Sequence, residues 1–330
     1  MKKSVIWMLS LVCFSSSIHA QKKAYKDKFA HTFSIVARDE NTGEMGVAVQ
    51  SHWFAVGNSV AWGKSGVGVV ATQSFVNPSY GSNGLKLMEE GLTAEEALGK
   101  LINLDQGEAY RQVAFLDVNG NTAAHTGEKC VLEASHNAYQ NFSVQANMML
   151  NDKVVPEMQY AFMVHRDLPL AERLVEVLKA AQKAGGDIRG KQSAALLIVG
   201  PEKVENEWED HIIDLRVDDH HNPIKELSRL LSVKRGYDFM NQGDIAIEEG
   251  DIKSALEAYS KAEELLKGNL EVTYWKAISL WNADEKAKAI PILKQIFKKE
   301  KNWKTLTYRL LESEIINSTK VELDKYFKND

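Results

Sequence analysis

Cysteine is almost missing from this chain: its 330 residues include only Cys13 and Cys130. Two cysteines cannot make a disulfide framework, and a leader carrying Cys13 would leave one thiol and no internal bridge at all. Proline is scarce at six residues, too few for an extended proline-rich or collagen-like protein. The sequence has no GxxxxGK[ST] phosphate cradle, no GxSxG elbow and no dinucleotide glycine motif, so no nucleotide or other cofactor is expected. Asp218 to His221 places oxygen and nitrogen ligands side by side, but consecutive residues rarely converge on one ion and no second cluster has zinc spacing. That run reads as a polar linker, and no metal is expected. The first two thirds hold no strongly basic stretch, and losing Lys2 and Lys3 takes the formal charge from −5 to −7. Such a balance argues against nucleic acid as a partner.

What is present begins with a leader. Lys2 and Lys3 precede an apolar run from Val5 to Phe14, then small polar residues Ser15 to Ser17 and Ala20. This is the layout of a secretory signal peptide, with an apolar run too short for a membrane span, which needs about 20 residues. Residues 1–20 are therefore expected to be a signal peptide and 21–31 a leader or propeptide, giving an exported, periplasmic or extracellular product. Cys130 reads as a buried small residue more readily than as a nucleophile.

Strand patterns follow. "TFSIVA" and "MGVAVQS" flank the turn "NTGE", so Thr32 to Ser51 reads as a hairpin. "SGVGVVATQS" supplies another strand, "RQVAFLDVNGNTAAHTG" two around a turn, and "SAALLIVG" and "HIIDLRV" two more. Phe33, Ile35 and Ala37 share one strand face, while Val36 shares the other with Thr32 and Ser34. A sheet buried on both sides needs covering layers. "YGSNGLKLMEEGLTAEEALGKLI" and "LPLAERLVEVLKAAQKAGGD" supply helices, the first with Thr93 and Glu96 at capping-box spacing and the second stopped by Gly185-Gly186. Residues 32–222 are thus expected to form one α+β sandwich domain and 223–236 a linker. Residues 237–330 read as helical. There "EGDIKSALEAYSKAEEL" returns after 34 residues as "ADEKAKAIPILKQIFKK", a period that matches tetratricopeptide repeats and a peptide- or protein-binding tail.

Four segments together, "TFSIVARDENTGEMGVAVQSHWFAVG", "GVVATQSFVNPSYGSNGLKLMEEG", "RQVAFLDVNGNTAAHTGEKC" and "AGGDIRGKQSAALLIV", resemble a bacterial family known only as a domain of unknown function (ten twenty-eight). The resemblance places the chain in the N-terminal-nucleophile hydrolase superfamily. It implies a four-layer αββα sandwich and a Thr, Ser or Cys nucleophile whose own α-amine acts as base. An amine with a pKa of about 7.7–8.0 can take the hydroxyl proton near neutral pH. Thr32 opens the first strand and takes that role. Ser51 and His52 end the second strand, where supporting catalytic groups gather in the superfamily. Gln73, Asn77 and Tyr80 follow the third strand as candidate substrate-binding or oxyanion donors. Asp187, Arg189 and Gln192 form a junction suited to holding a site loop or a substrate carboxylate.

One feature departs from that arrangement. Eleven residues, Gln21 to His31, separate the expected signal cleavage from Thr32, and a peptide bond to His31 blocks the amine. Two readings follow: an amide hydrolase acting on an amide or peptide substrate once Thr32 is exposed, or a periplasmic binding or scaffold protein that keeps the sandwich without turnover.

Overall fold

The structure, a computed structural model, describes residues 29–328; the signal peptide and most of the leader expected from sequence lie outside them. The chain divides into two compact units between Ser228 and Arg229.

Among the described residues, the first unit carries eleven strands in two antiparallel sheets. One contains β1 (Phe29–Ala30), β4 (Ala61–Lys64), β5 (Gly68–Phe75), β6 (Arg111–Asp117) and β7 (Thr122–Thr126), in the order β1-β5-β6-β7 with β4 also paired to β5. The other runs β11-β10-β3-β2-β9-β8, from β2 (Thr32–Arg38), β3 (Met45–Ser51), β8 (Ser135–Tyr139), β9 (Phe142–Ala146), β10 (Ser193–Val199) and β11 (His211–Val217). A short helix, α1 (Gly57–Val60), leads into β4. The inner faces of the two sheets share one apolar cluster, with Val36, Val47 and Leu197 from one sheet and Val69, Ala71 and Leu116 from the other. Outside the first sheet lie α2 (Ser79–Glu89) and α3 (Ala94–Leu104), packed through Leu85, Met88, Leu98 and Phe115. Outside the second lie α4 (Val154–Val164) and α5 (Leu170–Lys183). Burial on both faces of β2 follows, with Phe33, Ile35, Val36 and Ala37 all at 0% exposure.

Several elements depart from the sequence expectation. The first helical segment is two helices, and the capping box at Thr93 and Glu96 starts the second of them, α3. Helix α4 and the hairpin β8–β9 have no counterpart in that expectation. Residues 223–236, expected as a linker, are the first half of helix α6 (Pro223–Glu248). Pro223 takes the first helical position, where a missing N–H breaks no helical bond and the fixed φ favours the helix.

The second unit is all helix beyond α6: α7 (Ile252–Leu265), α8 (Leu270–Asn282), α9 (Lys286–Lys299), α10 (Asn302–Arg309) and α11 (Lys320–Phe327). Helices α7 and α9 both span 14 residues and sit 34 positions apart, so the repeat seen in sequence falls on matching helices. Equivalent positions Ala255 and Ala289 are both fully buried, as small residues must be where helices approach closely. Trp281 of α8 is 1% exposed and packs against Tyr326 and Phe327 of α11. Truncating a buried aromatic leaves a cavity and typically costs about 3–5 kcal/mol. Trp281→Ala is expected to lower the unfolding free energy of the helical signal by that amount, read by circular dichroism as a lower urea midpoint.

Candidate active site

The inward positions of five strands change character along their length, and those of a sixth, β9, are polar throughout. In β3, Met45, Val47 and Val49 are followed by Ser51; in β5, Val69 and Ala71 by Gln73; in β6, Gln112 precedes Ala114 and Leu116. In β2, Thr32 and Ser34 precede Val36, and in β10 Ser193 precedes Ala195. In β9, Ser143 and Gln145 lead to Asn147 just past the strand. The antiparallel registers bring these polar ends together, pairing Thr32 with Ser51, Ser51 with Ser193, Ser34 with Gln145 and Gln73 with Gln112. One end of the inter-sheet space is therefore apolar and the other, around Thr32, is a buried polar chamber filled by these side chains.

Buried polar atoms are tolerated only when hydrogen-bonded, and this chamber meets that demand with a connected network. Ser34 Oγ donates to Gln73 Oε1 at 2.6 Å and accepts from Gln145 Nε2 at 2.7 Å. Gln112 Oε1 accepts from Gln73 Nε2 at 2.7 Å and from Asn147 Nδ2 at 2.9 Å. Both amides also reach the Thr32 carbonyl, at 3.3 and 3.4 Å. Every one of these residues is at 0% exposure, Thr32 included.

The peptide joining His31 to Thr32 lies at the edge of this network. The His31 carbonyl oxygen accepts from Ser51 Oγ at 2.5 Å and from Arg189 Nη2 at 2.9 Å. Arg189 is held by a fork on Asp187, whose two oxygens take Arg189 Nε at 3.0 Å and Nη2 at 2.7 Å. The Asp187 side chain is wholly buried and also accepts from the backbone N–H of Arg189 and of His52. A buried carboxylate paired in this way orients a guanidinium rigidly. Gly185 and Gly186, at φ of 137° and 64°, turn the chain out of α5 into this junction in a conformation that favours glycine.

His31 itself is 1% exposed; Nδ1 bonds Asn147 Oδ1 at 2.9 Å and its ring meets Phe75 edge-on at 6.1 Å. Burial pushes its pKa below 6.5, outweighing the Asn147 bond. His136, whose Nδ1 bonds Thr126 Oγ1 beside Gln112, is likewise lowered by burial. A depressed histidine pKa means that the unfolded chain takes up protons that the folded chain refuses. Stability is therefore expected to be full above 6.5 and to fall as pH drops through that value toward the folded pKa. Thermal melts of a Thr32→Ala chain from about pH 8 to about pH 5 should show this decline, and His31→Asn should flatten part of it.

Of the residues singled out in sequence, Thr32, Ser51, Gln73, Asp187 and Arg189 come together here. His52 contributes its backbone N–H to Asp187, and its ring lies beside Gly190. Gln192 brackets the site through its backbone, with N–H to the Ser51 carbonyl and C=O from His220 N–H, while its amide turns to Asp219. Asn77 and Tyr80 make their side-chain bonds elsewhere. Asn77 Oδ1 caps the turn into α2 through Ser79. Tyr80 donates to Asp105, which also holds Arg111, in the cluster outside the first sheet. Ser34, Gln112, Gln145 and Asn147 are central yet absent from the sequence expectation. Cys130 is buried, with Sγ toward the Arg111 carbonyl, and burial pushes its thiol pKa up, against nucleophilic use. Among the described residues, no three His, Cys, Asp or Glu side chains could hold a metal ion, and no helix is long and apolar enough to cross a membrane.

No curated protein matches the chain. A crystal structure of a protein from Silicibacter pomeroyi, described as DUF1028, superposes with a TM-score of 0.55 at 32% identity, covering 61% of this chain and 88% of that one. The profile of a family described as "Family of unknown function (DUF1028)" matches residues 32–227, starting at the strand-opening threonine of the polar chamber. On that match over more than half its length, the chain belongs to the DUF1028 family.

Proposed function

We propose that this protein is an exported amide hydrolase of the N-terminal-nucleophile type, with Thr32 as its nucleophile. The observation that carries this reading is the pair of donors, Ser51 Oγ and Arg189 Nη2, on the carbonyl of the peptide that blocks Thr32. Two facing sheets with helices on both outer sides support the same superfamily reading, and a leader with a basic start, an apolar run and small residues supports export.

Donors aimed at a carbonyl oxygen stabilise the charge that develops there when a nucleophile attacks, worth about 10²–10³ in rate per donor. Attack by Thr32 Oγ on the His31 carbonyl carbon would form a tetrahedral adduct whose collapse breaks the C–N bond, the hydroxyl proton passing to the departing nitrogen, and leaves His31 as an ester on the Thr32 oxygen with the α-amine free. Water then hydrolyses that ester, His31 leaves as a carboxylic acid, and the Thr32 hydroxyl is restored beside its amine. The chamber vacated by His31, between Asn147 and Phe75, would then receive a substrate acyl group. Its carbonyl would meet the same two donors, and the amine would take the hydroxyl proton. Terminal sequencing of the exported protein tests this, with Thr32 expected as the first residue.

The blocked amine itself favours a second reading. A mature protein that stably keeps His31 would be a binding or scaffold protein. In either reading the 34-residue relation of α7 and α9 supports a tetratricopeptide-like tail that binds a peptide or protein.

A further inference from the structure

A polar cavity lies at the other end of β2. Arg38 closes that strand, about 20 Å from Thr32 at ~3.3 Å per residue. A cavity of about 370 Å³ opens beside Arg38, between the turns after β2 and β8 and the end of α4, with Arg166 and Arg173 also lining it. Among the described residues, none of these three arginines forms an ion pair within 4.0 Å. The Arg38 Nε atom is buried with no hydrogen-bond partner. Arg173 spends its Nε on the Phe162 carbonyl at 2.8 Å and stacks over the Phe162 ring at 3.4 Å, and Arg166 Nε reaches only the Met163 carbonyl at 3.4 Å. Among the described residues, their terminal nitrogens have no hydrogen-bond acceptor.

Nearby carboxylates do not take up that capacity. Asp39 Oδ1 accepts the backbone N–H groups of Asn41 and Thr42, and Glu40 accepts from the Asn141 amide. Burial still pushes the Arg173 pKa down despite both acids, so its charge is incompletely compensated. Guanidinium forks without a partner in a concave site are built for a planar oxyanion. The carboxylates of Asp39, Glu40 and Asp167 on the same cavity would repel a dianion more than a monoanion, which disfavours phosphate. The rings of Phe142 and Phe162 supply an apolar wall.

We infer that the convergence of Arg38, Arg166 and Arg173 on a cavity walled by Phe142 and Phe162 forms a binding site for a small monocarboxylate with an apolar body. It is separate from the Thr32 chamber and does not depend on hydrolysis there.

The test uses the full chain with benzoate as probe, followed by titration calorimetry, and inorganic phosphate in parallel. Benzoate is expected to bind saturably, more tightly than phosphate. Arg166→Gln, at an exposed residue, should weaken it about tenfold, and Arg173→Lys by at least as much, because a lysine cannot form the two-pronged contact. Thermal melts check that Arg173→Lys folds; Arg166→Gln carries the test if it does not. The same benzoate affinity in a Thr32→Ala chain would separate this site from the chamber. The inference is overturned if no saturable binding occurs up to about 10 mM, if phosphate binds more tightly than benzoate, or if Arg166→Gln leaves the affinity unchanged.

Discussion

Under the proposed self-processing, Thr32→Ala is expected to keep its leader through His31 and to show no amide hydrolysis, whereas the wild-type chain is expected to begin at Thr32. The expectation rests on which atoms the substitution removes. Ser51 Oγ and the Arg189 guanidinium still polarise the His31 carbonyl, but the adjacent hydroxyl that would attack is gone. Thr32→Ser keeps a hydroxyl at the same place and should still be processed. Ser51→Ala removes one of the two donors, and processing should slow by about 10²–10³. Intact mass of samples taken over time reads all three. Arg189→Gln is a poorer probe, because it also strands the buried Asp187 carboxylate, and breaking such a pair costs about 3–5 kcal/mol. Cleavage of Thr32→Ala at the same bond would assign the cut to another protease. A wild-type protein stably starting upstream of Thr32 would leave its amine blocked, and the binding-protein reading would stand in place of the hydrolase.

Most of the sheet framework is legible in the sequence because its strands alternate cleanly or are β-branched, as in "TFSIVA" and "SAALLIV". The hairpin β8–β9 is not, since "SHNAYQNFSVQA" is polar and short of β-branched residues. It is held by pairing to β2, and strand preference of this kind reflects neighbours more than intrinsic propensity. Helix α6 is hidden by the Asn-Pro step, a punctuation mark that here starts a helix rather than an irregular linker. For the candidate site, Thr32 and Ser51 come from the resemblance, and Gln73, Asp187 and Arg189 join them in space. Gln112 and Asn147 escape notice because a polar residue at one strand end carries no signal alone. The signal lies in the coincidence of five strands whose inward positions turn polar at the same end beside the polar inward face of β9, and only the pairing register reveals it. Asn77 and Tyr80 stand near Gln73 in sequence, but the chain turns into α2 after Gln73, and Tyr80, on that helix, packs on the outer face of the first sheet.

Gln112 is the residue whose loss should cost the chamber most. Its Oε1 takes the amides of both Gln73 and Asn147, and its two N–H groups are shared among Thr126 Oγ1, the Ser135 carbonyl and the Ala146 carbonyl. It therefore ties β5, β7, β8 and β9 to one point at 0% exposure. Gln112→Ala leaves two buried donors without their shared acceptor, each worth about 1–3 kcal/mol, as well as a cavity. The expected loss in urea unfolding is about 3–5 kcal/mol, more than a typical core truncation of the same volume. Gln112→Met fills the space but keeps the donors stranded, so it should recover little. A double-mutant cycle separates bonding from packing. Gln73→Ala with Gln112→Ala should cost less than the sum of the single losses, by about 0.5–3 kcal/mol, because the second change removes a donor that the first acceptor's loss had stranded. Additive losses would mean that the two side chains fill space independently and that the network does not act as one unit. The same network carries the amides on the Thr32 carbonyl, so Gln112→Ala should also slow release of the leader at temperatures where the variant remains folded.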